Sequence, residues 1–466
     1  MDNKFLKKTI IYFVGNFSSK ILTALLIPIY AYFVSTEDLG NYDYIVALMN
    51  IIIPVVFFNM WDSILKYAIV GNREEELKKI FTSAFIFIMI NTLVFVAGYL
   101  IIYRFNIISY PCFNLSILMM LSYGSVYLWQ YSCRAFQKNT VYALSGVISS
   151  FINIIMIIIL VIILNLGLNG LIFSYTISMI AAVVFIEKKI KILQYIDFSC
   201  FDFDLLKKMC VFSAPIVLNT ISLWGMSGIS KILCVNYLNA EANGLFSFGS
   251  KFGSIITIFG SIIGAVLIEE AYLEKNLASY RKRFSNIIQK LFIIYLITLF
   301  FAIPLLNIIY NFLWINNDYY YSKIILPFIL LSSTFSSIGT NFGSAFQVTE
   351  KTSYIFTTTM FGTIVSIVIS YLTINNLGIL GLALAQMIGN LILVISRALF
   401  AYKLTGLKID WKINIFLILI YVVISFVSIY VEILINLLII AIITLITVFL
   451  FRNDIKRLLH LAITTK

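Results

Sequence analysis

A single histidine, His460, occurs in the whole chain, and it lies in the C-terminal tail. A histidine-based metal centre or a Ser-His-Asp triad is therefore impossible within one chain. Cysteine is nearly as scarce. Cys112, Cys133, Cys200, Cys210 and Cys234 lie far apart, with no C-x-x-C pair. They read as small buried apolar side chains, not as a metal site or a disulfide framework. No P-loop, Rossmann glycine run or H-E-x-x-H is present, so neither an ATPase nor a zinc enzyme is written here. No catalytic residue, cofactor or metal is expected, and the chain does not read as an enzyme. Charge is scarce for a chain of this length as well. Only 12% of the 466 residues are charged, against 61% hydrophobic, where soluble chains run at about 25% charged. No soluble core of this length needs so much apolar surface. The bilayer is the natural solvent, and the class is an all-α integral membrane protein.

Fourteen apolar segments reach roughly the 20 residues a spanning helix needs. They are 9–34, 42–69, 80–103, 112–136, 140–164, 168–190, 209–236, 245–270, 286–313, 323–347, 352–375, 379–403, 413–430 and 433–451. The first is too long for a cleaved signal and lacks an A-x-A-like site, so it reads as a retained helix. The last two share one apolar stretch broken at Tyr430-Val431-Glu432, where the acid would be costly at mid-membrane.

The net charge is +12. In a soluble protein this would raise nucleic-acid binding. Here the basic residues sit between apolar segments and read as topology signals, so no nucleic-acid partner is expected. With the N-terminus inside, 25 of the 33 Lys and Arg residues fall in inner segments. Two, Arg104 and Lys323, fall in outer loops, and six lie within helices. That asymmetry places both termini in the cytoplasm.

The chain repeats itself. Leu206-Lys207-Lys208 echoes Leu6-Lys7-Lys8, and Gly244-Leu245-Phe246 echoes Gly40-Asn41-Tyr42. Glu274 to Phe284 resembles Glu74 to Phe81, and Leu377-Gly378-Ile379-Leu380-Gly381-Leu382 resembles Leu166-Gly167-Leu168-Asn169-Gly170-Leu171. Each unit holds six helices, an even number, so the two insert the same way up about an axis along the membrane normal. The expected plan is a six-helix half over 1–190, a cytoplasmic linker over 191–208 and a second six-helix half over 209–404. Two extra helices and a tail follow over 405–466. The halves face a shared central cavity. Within the linker, the acids and then bases of Asp202 to Lys208 suit a short surface helix.

Ionisable residues inside the membrane are rare and costly, and they usually face a cavity or a partner. Lys20 lies deep in the first helix beside Ser18, Ser19 and Thr23. It is expected to line a wet cavity and contact an anionic substrate, or else to pair with Asp62. Lys231 and Lys251 are the other cations of this expected cavity, each with small polar neighbours. Asp62 and Lys66 stand four apart on one helix face and are placed for an ion pair or a coupling role. Arg397 and Lys290 read as anchors near the inner surface. Pro28, Pro215, Gly225 and Gly228 are candidate hinges, with close helix packing the plainer reading of the glycines.

Several stretches together resemble a known family. Leu39-Gly40-Asn41-Tyr42 is similar to its leucine-glycine-x-tyrosine turn, and Trp61-Asp62-Ser63-Ile64-Leu65-Lys66 to its second helix ending. Ser213-Ala214-Pro215, Gly244-Leu245-Phe246-Ser247 with Lys251, and Leu377-Gly378-Ile379-Leu380-Gly381 resemble later landmarks. The family is the polysaccharide repeat-unit flippases, the Wzx type, of the multidrug/oligosaccharidyl-lipid/polysaccharide exporter superfamily. One departure stands out: Ser230-Lys231 replaces a common aspartate-base pair, so helix 7 lacks a carboxylate. The resemblance implies a flippase in the bacterial inner membrane that moves an undecaprenyl-pyrophosphate-linked oligosaccharide from the inner to the outer leaflet by alternating access. It would serve O-antigen or capsule synthesis, with a polymerase and chain-length proteins as partners beside the membrane lipids. The alternatives are a cation-coupled drug exporter of the same fold and a flippase for another lipid-linked precursor, such as that of peptidoglycan. Reporter fusions after Asn169, Asn239 and Asn376 should read outside, and one at Thr465 inside; a cytoplasmic signal at Asn239 breaks the repeat.

Overall fold

The computed structural model describes residues 25–70, 73–105, 110–273, 277–313, 317–349, 351 and 353–450. Lys20 and His460 lie outside the described residues. Among the described residues the chain is all helical, with fourteen α-helices. They are α1 (Leu26–Phe33), α2 (Thr36–Val56), α3 (Met60–Val70), α4 (Glu74–Arg104), α5 (Phe113–Ala135), α6 (Asn139–Ile157) and α7 (Gly167–Ile190). Then come α8 (Phe203–Tyr237), α9 (Ala240–Leu273), α10 (Leu277–Leu313), α11 (Leu326–Val348), α12 (Ser353–Thr405), α13 (Trp411–Tyr430) and α14 (Ile433–Leu450). Nine helical segments are long and apolar enough to cross a membrane, among the described residues.

The observed and expected helices agree in number but not one to one. The expected helix over 42–69 is two helices, α2 and α3. Pro54 has no N–H to give the Asn50 carbonyl, and four residues later Phe58 (φ 51°) and then Asn59 (φ 44°) turn left-handed. Two expected helices, 352–375 and 379–403, form the single α12 with a break at Gly378 (φ 54°, ψ −134°). A side chain would be strained there, and glycine is not. Gly167, its repeat mate, also has a positive φ, 50°. Between α13 and α14 the chain breaks at Val431 and Glu432, as the acid predicts.

Local chemistry sets the helix starts. The Ser35 side chain accepts from Asp38 N at 3.0 Å, and Glu37 and Asp38 sit in the first turn of α2. Side-chain capping and acids at this end satisfy N–H groups the helix leaves open. Asp202 caps α8 in the same way through Leu205 N. The expected separate surface helix from Asp202 to Lys208 is therefore corrected: those residues begin α8, because nothing after the cap stops it. Nor is the linker before it loose. Two short 3₁₀ turns, Ile192–Tyr195 and Phe198–Cys200, run past α4. Thr82 bonds Tyr195 O and Asp197 N, and Ser83 bonds both the N–H and carbonyl of Asp202. Hydrogen bonds from Ser199 hold the Asp197 carboxyl below its usual range.

By contact, the chain divides into one unit of residues 1–251 with 359–389 and a second of 252–358 with 390–466. Within the first unit, the repeat appears as a reciprocal contact. A Cβ on Gly40 would overlap the Ala240 carbonyl, and one on Gly244 would overlap the Thr36 carbonyl. Each glycine thus lies on the backbone four residues before the other, the signature of a local two-fold relation. Asn243 Nδ2 donates to Gly40 O at 2.7 Å across the same crossing.

In the second unit, α9 packs closely on α11 at Gly253, Gly260 and Gly264, where Ser333, Ser337 and Thr340 fill the glycine seats. The two C-terminal helices dock on α10 through amides. Gln289 Nε2 donates to Asn414 at 3.0 Å, and Asn307 Nδ2 to Ser428 at 2.8 Å. Arg397, expected as a surface anchor, is instead buried and donates to Gly339 O at 2.7 Å.

The glycine crossing gives a direct test. Gly40→Ala or Gly244→Ala must push two backbones apart and should cost at least about 1–3 kcal/mol. Fluorescent fusions of either variant should lose their monodisperse chromatographic peak. Gly98→Ala, with no neighbouring atom within 4 Å, should keep it.

Candidate functional site

The first unit carries an open cavity of about 540 Å³. Its walls come from α2, α3, α5 and α8, and the break between α2 and α3 forms part of them. Asn50, Pro54, Asn59 and Asp62 line that broken stretch, facing Thr220 and Lys231 of α8. The break is held open by polar bonds to α8. Asn59 Nδ2 donates to Thr220 at 3.0 Å, Ser213 donates to Asn59 O at 3.2 Å, and Ser63 bonds Ser213 and Met209 O at 2.8 Å each. Asn59 Oδ1 is buried and accepts no hydrogen bond.

Aromatic side chains cover the opposite wall. Tyr123, Tyr127 and Tyr131 recur every four residues on α5, so they share one helix face. Ring centroids lie 4.7 Å apart for the first pair and 6.2 Å for the second. Trp61 stands 5.3 Å from Tyr127 and 6.5 Å from Tyr131. Trp224 completes the enclosure, its indole N–H donating to Ala47 O at 2.7 Å.

Beside the cavity lies a charge cluster that sequence reasoning missed. Lys231 Nζ is 2.5 Å from a carboxylate oxygen of Asp43. Ser247 donates to the same oxygen, and the Lys251 charge also reaches Asp43. Lys251 Nζ sits 4.6 Å from the centroid of the Tyr30 ring. Asp43 is 8% exposed. A carboxylate so placed needs a cation and hydrogen bonds to remain in the fold. The expected helix over 209–236, now the body of α8, has no carboxylate of its own, and α2 supplies one from a distant point in the chain. The signal was present: Asp43 follows the Leu39-Gly40-Asn41-Tyr42 motif directly, and Ser247 holds the matching place in the second motif.

The expected site residues separate accordingly. Lys231 lines the cavity, while Lys251 lies outside its lining. Lys20, the third expected cation, lies outside the described residues. Among those described, the lining carries one cation, Lys231, neutralised by Asp43, and one carboxylate, Asp62. Asp62 and Lys66 do not form the expected ion pair; the described ion pairs are Lys231–Asp43 and Lys78–Glu74. The Lys66 ammonium lies instead 3.9 Å from the Phe212 ring centroid, a cation–π contact. Arg134 is the cation whose charge reaches Asp62. Gly225 and Gly228 have packing roles. A Cβ on Gly225 would be 2.7 Å from Thr363 Cγ2, and one on Gly228 would strike the Trp224 indole. Pro215 lies within an uninterrupted α8, and Pro28 within α1.

The fold and this polar, ion-paired interior define a multi-pass helical membrane protein. The same fold occurs in the inward closed conformation of the lipid II flippase MurJ. The TM-score is 0.72 at 18% identity, over 96% of this chain and 100% of that one. It occurs also in the inward-facing conformation of a multidrug resistance MATE family transporter of the MOP superfamily. There the TM-score is 0.66 at 16% identity, over 86% of this chain and 99% of that one. A comparison with curated proteins yields no match. Residues 5–268, more than half of the chain, match the model of the polysaccharide biosynthesis protein family, and the chain belongs to that family.

The buried pair makes a measurable claim. Asp43→Ala should leave Lys231 uncompensated, and Lys231→Met should strand Asp43; breaking a buried pair costs about 3–5 kcal/mol. The double variant should melt higher in detergent than either single one. If the two losses simply add, the charges are not coupled.

Proposed function

We propose that this chain is a flippase that carries an undecaprenyl-pyrophosphate-linked oligosaccharide from the inner to the outer leaflet of the bacterial cytoplasmic membrane, for surface polysaccharide synthesis. The observation that carries the reading is a cavity walled by polar and aromatic side chains inside a helical membrane fold, in a chain of the polysaccharide biosynthesis family. Sugars and pyrophosphate cannot cross hydrocarbon unaided, because desolvating them is too costly. A cavity lets the headgroup pass while the lipid tail stays in the bilayer. Alternating access would expose the cavity to each side in turn. Lys20 would hold the pyrophosphate, the Asp43–Lys231–Lys251 cluster would fasten the end of the bundle expected to face outward, and both termini would lie in the cytoplasm.

The lipid II flippase covers 96% of this chain where the drug transporter covers 86%. This supports a lipid-linked substrate over a drug, with α13 and α14 belonging to the carrier. A polymerase and chain-length proteins would act on the product.

Deleting the gene should abolish the surface polysaccharide and leave lipid-linked repeat units in the inner leaflet; plasmid-borne wild type should restore export. Lys20→Ala, at normal protein level, should lose substrate affinity by about ten- to a hundred-fold, the worth of one charge-assisted contact. Lys20→Arg should be milder. Normal export in the deletion strain overturns the reading.

A further inference from the structure

We propose that the ladder Tyr123–Tyr127–Tyr131 with Trp61 is the glycan subsite of the cavity, and that it holds the sugar portion of the substrate apart from its pyrophosphate. This rests on the transport reading above. Three observations place the glycan here.

The first is shape. Three rings at four-residue spacing advance about 6 Å per rung along α5. Each tyrosine is half-buried and lines the cavity. Ring centroids 4.7 and 6.2 Å apart thus set a row of aromatic groups along the cavity at intervals on the order of one sugar residue. Trp61, which packs on two of the rungs, widens the platform. The C–H faces of pyranose rings stack on such surfaces, as other flat polar molecules do. The cavity volume, about 540 Å³, lies within the roughly 300–1,000 Å³ of small-molecule sites.

The second is polarity. Asn50, Asp62, Thr220 and Ser227 line the same space. Thr220 is already bonded to Asn59 and to Ile216 O, but a lipid tail there would desolvate the Asp62 carboxyl and the side chains of Asn50 and Ser227. Sugar hydroxyls would satisfy them, Asp62 accepting two at once as a carboxylate can.

The third is charge. Lys231, the cation of the described lining, is held by Asp43, and Asp62 adds a negative charge facing the space. That lysine is already engaged by a carboxylate, so a pyrophosphate would have to displace Asp43 to reach it, whereas a neutral or amino-bearing sugar would not.

The test uses the full chain in lipid nanodiscs and two probes. One is the lipid-linked oligosaccharide extracted from the deletion strain. The other is undecaprenyl pyrophosphate without sugar. Tyr127→Leu keeps apolar bulk but removes the flat face. It should weaken binding of the glycosylated carrier by about ten-fold, the order of one aromatic contact, and leave binding of the sugar-free carrier unchanged. Tyr127→Phe, which keeps the ring, should lose less than Tyr127→Leu. Tyr131→Leu serves as the second variant should Tyr127→Leu fail to assemble. Equal loss for both probes, or no loss for either, overturns the subsite while leaving the transport reading in place. Failure of the wild-type chain to bind either probe overturns both.

Discussion

A charge inside a membrane fold has to find its partner within the protein, because hydrocarbon offers none. Asp43 shows what this demands. Its partners are Lys231 on α8 and Ser247 on α9, each about two hundred residues away in the chain. Ser247 reaches it because α2 and α9 approach closely enough at Gly40 and Gly244 for backbone to touch backbone. Any side chain at either glycine would separate the helices and leave the carboxylate exposed to an apolar setting. The close approach and the ion pair therefore depend on each other. The first is a matter of shape and the second of charge, and the repeat brings both to one place.

The interrupted helix follows the same logic at the backbone level. Pro54 frees a carbonyl, and the left-handed Phe58 and Asn59 cost roughly 1–3 kcal/mol each. The cost is met by α8, whose Thr220 and Ser213 bond Asn59 on its side chain and its backbone. In return the break opens a polar wall at a depth where a regular helix would bury its amides against itself. Irregular backbone is tolerated in a membrane protein where protein surrounds it or a cavity adjoins it, and here α8 bonds the break and the cavity borders it.

Much of the fold was legible in the chain, and for identifiable reasons. Helix positions follow from the length of apolar runs, a property each run carries alone. Glu432 ends α13 because an acid resists mid-membrane placement whatever its neighbours are. Gly167 and Gly378 announce turns because both sit in one repeated motif and both take a positive φ. The candidate site was less legible. Lys231 was recognisable as an unusual cation, but its neutralising partner lay in a turn motif read only for topology. The tyrosines at positions 123, 127 and 131 share a helical face by their spacing, yet nothing in one helix says whether that face meets lipid, core or cavity. Asp62 and Lys66 satisfy the rule for neighbours on a helix, but the phenyl ring of Phe212 offers the ammonium a closer seat.

The sequence by itself determined the membrane class, the helical architecture and the internal repeat, since all three rest on composition and on periodicities local to each segment. It also set where Ser35 caps α2 and where Asp202 and Asp410 cap α8 and α13. Only the tertiary structure decided which charges pair, where α2 breaks, which aromatic face meets a cavity, and that the residues from Asp202 onward extend α8 rather than lie on the surface. These depend on what stands across from a residue. That is set by helices far apart in the chain, and no local pattern records the distance between them.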